Sequence, residues 1–289
     1  MFLVGISFHS RRFLIKAFGN DIKSILFPFQ LHNYYSIFAE IKLNDAMIEI
    51  KNLHKNFDNN SVLQGVDLQI NQGETLAIIG PSGCGKSVLL KHIVGLLKPD
   101  EGCVCIEGKN IDDLNENDLY DVRKLFGFLF QGAALFDSMT IEENIALPLI
   151  ENNYNLSQSE LDKIVAEKLE LVGLPGIQKK KPSELSGGMK KRVGLARALV
   201  TNPKYILYDE PTTGLDPIMS DSIDELIVHL NKKVNVTSIV VTHDMFSVKN
   251  VADKVSMMHN GKIYFSGTYD EVLNSKDSVI QNFVKRTVV

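Results

Sequence analysis

The run Gly80-Pro81-Ser82-Gly83-Cys84-Gly85-Lys86-Ser87 sets glycines, a lysine and a serine at fixed intervals. Glycines at such positions let the backbone wrap closely around an anion with its N–H groups turned inward. A helix starting directly behind them adds the partial positive charge of its N-terminus. Every fixed position matches the phosphate-binding pattern G-x-x-x-x-G-K-[ST]. The pattern predicts that Lys86 reaches the β- and γ-phosphates of ATP and that Ser87 holds Mg²⁺. It sits between the apolar run Leu76-Ala77-Ile78-Ile79 and an apolar helical run from Val88 to Leu97, the strand-then-helix setting that the chemistry requires. The second candidate is Tyr205-Ile206-Leu207-Tyr208-Asp209-Glu210, an apolar strand ending in two carboxylates. Side chains alternate along a strand, so adjacent acids need not share one task. Asp209 is expected to help fix Mg²⁺ through water, and Glu210 to polarise the water that attacks the γ-phosphate. Pro211 predicts an extended backbone at Glu210. A glycine turn or an acidic strand end alone has a bland reading as a loop; in this order in one chain, the two read as one site.

A third segment, Leu185-Ser186-Gly187-Gly188-Met189, supplies a good N-cap in Ser186 and glycines that permit close approach. The run from Met189 to Val200 can continue as a helix, which yields a second helix N-terminus suited to face an anion. This segment resembles the ABC signature L-S-G-G-Q, here with methionine in the last place. The resemblance spans roughly residues 47 to 270, and it implies further roles. Leu185, Ser186, Gly187, Gly188 and Met189 would contact the γ-phosphate held by an opposite subunit, so that two chains sandwich two ATP molecules. Gln131 resembles the Q-loop glutamine that senses Mg²⁺ and the attacking water. Gly214, Leu215 and Asp216 resemble the D-loop at the dimer interface, and His243 the switch histidine on the γ-phosphate. Phe57, 29 residues before Lys86, stands where the family stacks an aromatic ring on adenine. Gly80, Pro81, Ser82, Gly83, Cys84, Gly85, Lys86, Ser87 and Val88 complete the expected nucleotide-binding set.

These residues need a particular scaffold. From Met47 onward Ile48 and Ile50 alternate with polar residues, as do Val66, Leu68 and Ile70, which predicts half-buried antiparallel strands. The continuous runs 76–79, 206–208 and 239–241 predict parallel strands buried on both faces. The expected fold is therefore α/β. The resemblance specifies it as a P-loop NTPase of ABC type, with a mixed central sheet, an N-terminal antiparallel β patch and an inserted helical subdomain over about 132–185. Residues 161–169 carry helical apolar spacing, in keeping with that subdomain. In the family, this subdomain and the Q-loop receive a helix of the membrane subunit.

The domain is expected to span 47–289. Residues 1–46 hold seven of the fifteen phenylalanines, and their basic pair Arg11-Arg12 follows the apolar run, the reverse of a secretory signal. This extension is expected to be either a poorly ordered tail upstream of a true start at Met47 or an amphipathic surface segment.

Composition narrows the partners. A net charge of −4, spread over both signs, gives no ground for broad nucleic-acid affinity. The cluster Lys179-Lys180-Lys181 reads as a solvated turn. Three cysteines do not make a disulfide framework, and Cys103 and Cys105 lie in an alternating strand without a matching metal-ligand pair. No stretch reaches the ~18 apolar residues of a membrane span, so transport demands separate membrane subunits.

Met189, the block from Gly127 through Gln131 to Thr140, and the run Gly85 to His92 together resemble the Mla/Mkl group, the ATPases of Mce-type phospholipid transporters. Thr212-Thr213-Gly214-Leu215-Asp216 instead follows the general family pattern. The resemblance implies an ATPase homodimer, peripheral on the cytoplasmic face of the inner membrane, joined to integral-membrane permeases and an Mce-domain lipid-binding protein. The alternatives are another ABC motor (lipoprotein release, solute or ribonucleotide import), a soluble ABC ATPase on ribosomes or DNA, and a purely structural nucleotide-binding subunit, which Glu210 argues against.

Overall fold

Burial on both faces organises the chain from the centre outward. The computed structural model describes residues 5–9, 12–16, 46–58, 60–234 and 236–287, so the reading of residues 17–45 falls outside the described residues. Internal contacts divide the chain into a unit over Met1–Asn44 and one over Asp45–Val289. In the first, strands β1 (Gly5–His9) and β2 (Arg12–Lys16) pair antiparallel, with Phe8 opposite Phe13.

The second unit opens with β3 (Ala46–Phe57) and β4 (Asn60–Asn71), followed by β5 (Thr75–Ile79) and helix α1 (Lys86–Ile93). Strands β6 (Glu101–Ile106) and β7 (Lys109–Asn110), helix α2 (Glu116–Arg123) and β8 (Phe126–Leu129) come next. Three helices follow: α3 (Ile141–Glu151), α4 (Gln158–Leu171) and α5 (Gly187–Leu199). The chain then runs through β9 (Tyr205–Asp209), α6 (Pro217–Val234), β10 (Thr237–Val241) and α7 (Met245–Val251). It ends with β11 (Lys254–His259), β12 (Lys262–Gly267), α8 (Tyr269–Leu273) and α9 (Ser278–Thr287).

The central sheet has the order β12-β11-β5-β10-β9-β8, parallel except for β12. Every residue of β5 and of β10 is buried, as continuous apolar runs require of strands covered on both sides. The antiparallel sheet has the order β4-β3-β6-β7. Leu63, Val66, Leu68 and Ile70 point inward along β4, following the alternation of its sequence. This sheet shares an apolar core with α1 and one face of the central sheet, through Ile48, Ile50, Leu76, Leu89 and Ile239 among others. A second core joins the opposite face to α3, α4, α5 and α6. The mixed α/β architecture is the one read from the sequence.

One boundary differs. The run expected to be helical to Leu97 stops at Ile93. Gly95 takes φ +65° and its N–H donates to His92 O (2.9 Å), while Leu96 N–H donates to Lys91 O (2.8 Å). This is the paired closure in which a left-handed glycine ends a helix, and it overrides the apolar residues beyond it.

Helix α6 buries a carboxylate outside the site. Asp224 is 2% exposed; its Oδ2 accepts from Asn250 Nδ2 (3.3 Å), while its Oδ1 has no partner among the described residues. Burial pushes its pKa up to about 6. The folded state therefore holds this proton more tightly than the unfolded chain, and the associated stability is lost as the pH rises from about 4 through about 6. Asp224→Asn should flatten that dependence, gaining on the order of 1–3 kcal/mol relative to the parent between pH 4 and 7.5. Urea midpoints at the two pH values measure it, and an unchanged difference between them would show that Asp224 does not titrate in this window.

Candidate functional site

Strand direction brings the candidate residues to one edge. Within the sheet, Val241 pairs with Ile78 of β5 and with Asp209 of β9, and Leu129 of β8 pairs with Tyr208. Because these four strands are parallel, the chain leaves all of them on the same side. Gly80, Thr242-His243, Asp209-Glu210 and Phe130-Gln131 therefore follow strand ends lying side by side, where open α/β sheets build their binding sites.

The loop after β5 cannot be built with side chains at two of its glycines. At Gly80 (φ +145°) an added Cβ would lie 2.3 Å from Met258 O, and at Gly85 (φ +105°) 2.9 Å from Leu63 Cδ2. Pro81, Ser82 and Gly83 are exposed, Cys84 is half-buried, and Val88 packs toward the core beneath the loop. Lys86 is 9% exposed, and its Nζ donates to Gly80 O (2.7 Å) and Pro81 O (3.0 Å). The ammonium thus already lies across the inside of the loop. Ser87 is exposed in the first turn of α1.

Asp209 closes β9 half-buried. Burial, and next the adjacent Glu210 charge, push its pKa up, while Lys86 and Lys191 pull it down. Glu210 lies off the extended path that Pro211 predicts: its φ is +51°. The reason is local. Its N–H donates to Val241 O of the neighbouring strand (2.9 Å), and its carbonyl takes Thr213 N–H (3.3 Å) and Lys191 Nζ (3.1 Å). These bonds outweigh the steric preference before proline. The turn holds the Glu210 carboxylate in place: Thr213 Oγ1 donates to Oε2 (3.0 Å), and His243 Nδ1 lies 2.9 Å from the same oxygen. An oriented, mostly buried carboxylate beside an exposed imidazole can accept a proton from a water molecule.

No group of three His, Cys, Asp or Glu side chains among the described residues could hold a metal ion. The Ser87 hydroxyl and the Asp209 carboxylate are hard oxygen donors, which fit Mg²⁺ when phosphates and water supply most of its shell.

Gln131 is exposed just beyond β8. Its carbonyl accepts from Lys191 Nζ, the ammonium that also binds Glu210 O. Lys191 was not among the residues singled out from the sequence. The available signal was positional: it shares the inner face of α5 with Gly188 and Leu195, where a lysine stands out.

Ser186 caps α5 by accepting from Met189 N–H (3.3 Å) and is exposed together with Gly187. Leu185 is buried, and Met189 packs against the helical core, an apolar contact that glutamine would not make. Added Cβ atoms at Gly187 and Gly188 would meet Leu215 Cδ2 (3.4 Å) and Met219 Cε (2.0 Å), so this segment lies against the chain's own residues at the start of α6. Gly214 takes φ +82°, and Asp216 Oδ1 accepts from Met219 N–H (3.0 Å) at the start of α6. Phe57 ends β3 at 40% exposure, with Lys55 Nζ 5.8 Å from its ring centroid. A separate, mostly apolar cleft of about 510 Å³ is lined by Tyr120, Phe128, Phe130, Phe136, Pro148 and Arg197.

Residues 63–213 match the family model described as ABC transporter. The chain is 43% identical over 237 residues to "Probable ribonucleotide transport ATP-binding protein mkl" of Mycobacterium leprae, a match covering 82% of this chain and 68% of that protein. It is 42% identical over 243 residues to "Intermembrane phospholipid transport system ATP-binding protein MlaF" of Haemophilus influenzae, covering 84% and 92%. A solved ATP-binding cassette, a dimer in a post-hydrolysis state bound to ADP and Pi, is 35% identical, with a TM-score of 0.71, and the match covers 77% of this chain and 99% of that one.

The loop geometry separates two substitutions. Gly83 (φ +79°) has nothing within 4 Å of an added Cβ, whereas the Gly80 Cβ would strike backbone. Gly83→Ala should cost about 1 kcal/mol of backbone strain, and Gly80→Ala at least about 2 kcal/mol. Thermal or urea unfolding measures both, and equal costs would contradict the loop conformation.

Proposed function

The chain belongs to the ABC transporter family as one of its ATPase subunits, and on that premise we propose that two copies form a nucleotide sandwich whose ATP hydrolysis drives phospholipid transport. The observation that carries the reading is the Glu210 carboxylate, fixed by Thr213 and His243 at the end of β9, between the strands that lead to His243 and to Gln131. In this reading Gly80 to Val88 cradle the phosphates of ATP. The Lys86 ammonium exchanges its loop carbonyls for phosphate oxygens, and the α1 N-terminus faces the same anion. Phe57, exposed at the end of β3, offers a stacking face for adenine, worth about 0.5–1.5 kcal/mol beyond burial.

Glu210 takes the proton of the attacking water, while His243 and Gln131 border the γ-phosphate. Bound Mg²⁺ would neutralise charge on the β- and γ-phosphates, with Ser87 and, through water, Asp209 as its protein contacts. Ser186 to Met189 leave an exposed, capped helix N-terminus for the partner copy's γ-phosphate, and Gly214 to Asp216 line the same interface. Residues 47–289 act as the ATPase domain, and residues 132–185, which carry α3 and α4, form its helical subdomain. The apolar cleft beside Phe128 and Phe136 suits a permease helix that links the motor to the membrane.

No helix among the described residues is long and apolar enough to cross a membrane. The likeness to transport ATP-binding proteins supports a peripheral position at the cytoplasmic face of the inner membrane. Phospholipid is favoured as cargo by the likeness to the Haemophilus protein together with the Mla-like sequence block. The mycobacterial relative's name supports a second reading, import of another solute class. Co-purification of the full chain with a permease and an Mce-domain protein supports phospholipid transport; recovery with solute-import subunits supports the other.

The chemistry has its own test. Lys86→Ala should abolish turnover by removing the phosphate-facing cation. Glu210→Gln should keep ATP binding, accumulate closed dimers and slow hydrolysis at least ~100-fold. Steady-state ATPase assays with size-exclusion chromatography measure this, and rapid turnover by Glu210→Gln would refute its role as base.

A further inference from the structure

Helix α5 carries two long cations that point at main-chain oxygens. Lys191, 5% exposed, donates to Gln131 O and to Glu210 O (3.1 Å). Arg197, nearly two turns further along, donates to Ala133 O and Ala134 O, both at 2.7 Å. Those two alanines sit at φ +61° and +47°, a strained backbone that the guanidinium holds in place. The segment 131–134, just beyond β8, is thus pinned to α5 at both ends, and Lys191 extends the pin to the turn that bears Glu210. Burying an ammonium costs free energy unless its donors are satisfied. Burial indeed lowers the Lys191 pKa, opposed by the charges of Glu210 and Asp209.

The two carbonyls that Lys191 joins belong to residues whose side chains serve the chain's own nucleotide. The N-terminus of the same helix is the signature segment. We propose that Lys191 is a positioning residue for hydrolysis, a buried tether that transmits the position of the signature helix to the Gln131 and Glu210 loops of the same chain. A nucleotide held against Ser186 by the opposite copy would then be registered by the first copy's catalytic loop through about one and a half helical turns. The proposal rests on the reading of Glu210 and the paired sites given above.

The test compares Lys191→Met, Lys191→Gln and Lys191→Arg in the full chain, with Glu210→Gln as a reference. The measurements are ATPase kcat and KM, binding of a fluorescent ATP analogue, and thermal unfolding. Lys191→Met should lower kcat by about tenfold or more, because misplaced reacting groups lose rate steeply. KM and analogue affinity should stay within about twofold, the signature of an interaction needed in the transition state and not for binding. Lys191→Arg, which can donate to both carbonyls, should recover most of kcat, and Lys191→Gln, with a shorter neutral donor, less. A Lys191→Met chain of unchanged kcat overturns the proposal. So does a fall of kcat, KM and affinity together in all three variants, in step with lost thermal stability. If Lys191→Met does not fold, a higher kcat for Arg than for Gln at equal KM supports the tether, and equal kcat values overturn it. An active Glu210→Gln chain would sink the underlying assignment of the base, whereas an inactive one beside a fully active Lys191→Met sinks the tether alone.

Discussion

A parallel strand pair cannot be closed by a tight turn; each step needs a crossover that returns the chain to the far side of the sheet. That requirement governs this molecule. In chain order the site-bearing strands are β5, β8, β9 and β10, but in space they lie β5-β10-β9-β8. The strand beside the phosphate loop is therefore the last of the four to be made, and the site forms only when distant segments have paired. Each crossover is put to use. Between β5 and β8 lie α1, the two short strands β6 and β7, and α2; between β8 and β9 lie α3, α4 and α5, and between β9 and β10 lies α6. The sandwiching layers bury β5 and β10 completely, and each fully buried aliphatic side chain contributes roughly 1.5–3 kcal/mol. A rigid, dry sheet lets four loops converge without being long.

Much of this was legible in the sequence because it depends on short-range pattern. Runs such as Leu76 to Ile79 and Ile239 to Val241 declared strands covered on both sides, and alternation around Ile48 and Val66 declared the second sheet. The glycines of the phosphate loop were legible for the same reason, since a residue without Cβ is demanded where Met258 O and Leu63 crowd the backbone. What escaped was decided by bonds between segments far apart in sequence. Pro211 gave an extended Glu210, but Val241 and Lys191 hold that residue at positive φ. The apolar residues after Ile93 suggested more helix, but Gly95 ends it with two hydrogen bonds that hydrophobicity does not encode. Lys191 could be suspected from its buried helical position, yet its targets could not be read before the loops were in place.

The site's cations share a habit that bears on catalysis. Lys191 and Arg197 direct their hydrogen bonds to main-chain carbonyls, and Lys86 does so for its two shortest, with Cys84 Sγ a distant third acceptor at 4.0 Å. A side-chain ion pair would neutralise such a cation; a carbonyl dipole orients it and leaves its charge. For Lys86 this means that, in the proposed reading, phosphate oxygens would compete against weak neutral acceptors and gain the stronger charge-assisted bond. For Lys191 and Arg197 the result is mechanical, because a carbonyl held by a buried cation cannot move without the helix that carries it.

Met189 completes the argument about what each copy contributes. Its side chain is half-buried and packs against the helical core, so the residue that most distinguishes this segment from L-S-G-G-Q has a packing role of its own. The polar work of the segment falls to Ser186 and to the free N–H groups of the first turn, which any residue at position 189 leaves intact. In the proposed sandwich the chemistry offered to a partner's nucleotide would be carried by backbone, while the side chain at 189 packs the helix against its neighbours. A helix held by Met189 against the core and by Lys191 at the carbonyls of Gln131 and Glu210 has little freedom to tilt at one end alone, which suits it to the proposed link between two nucleotides.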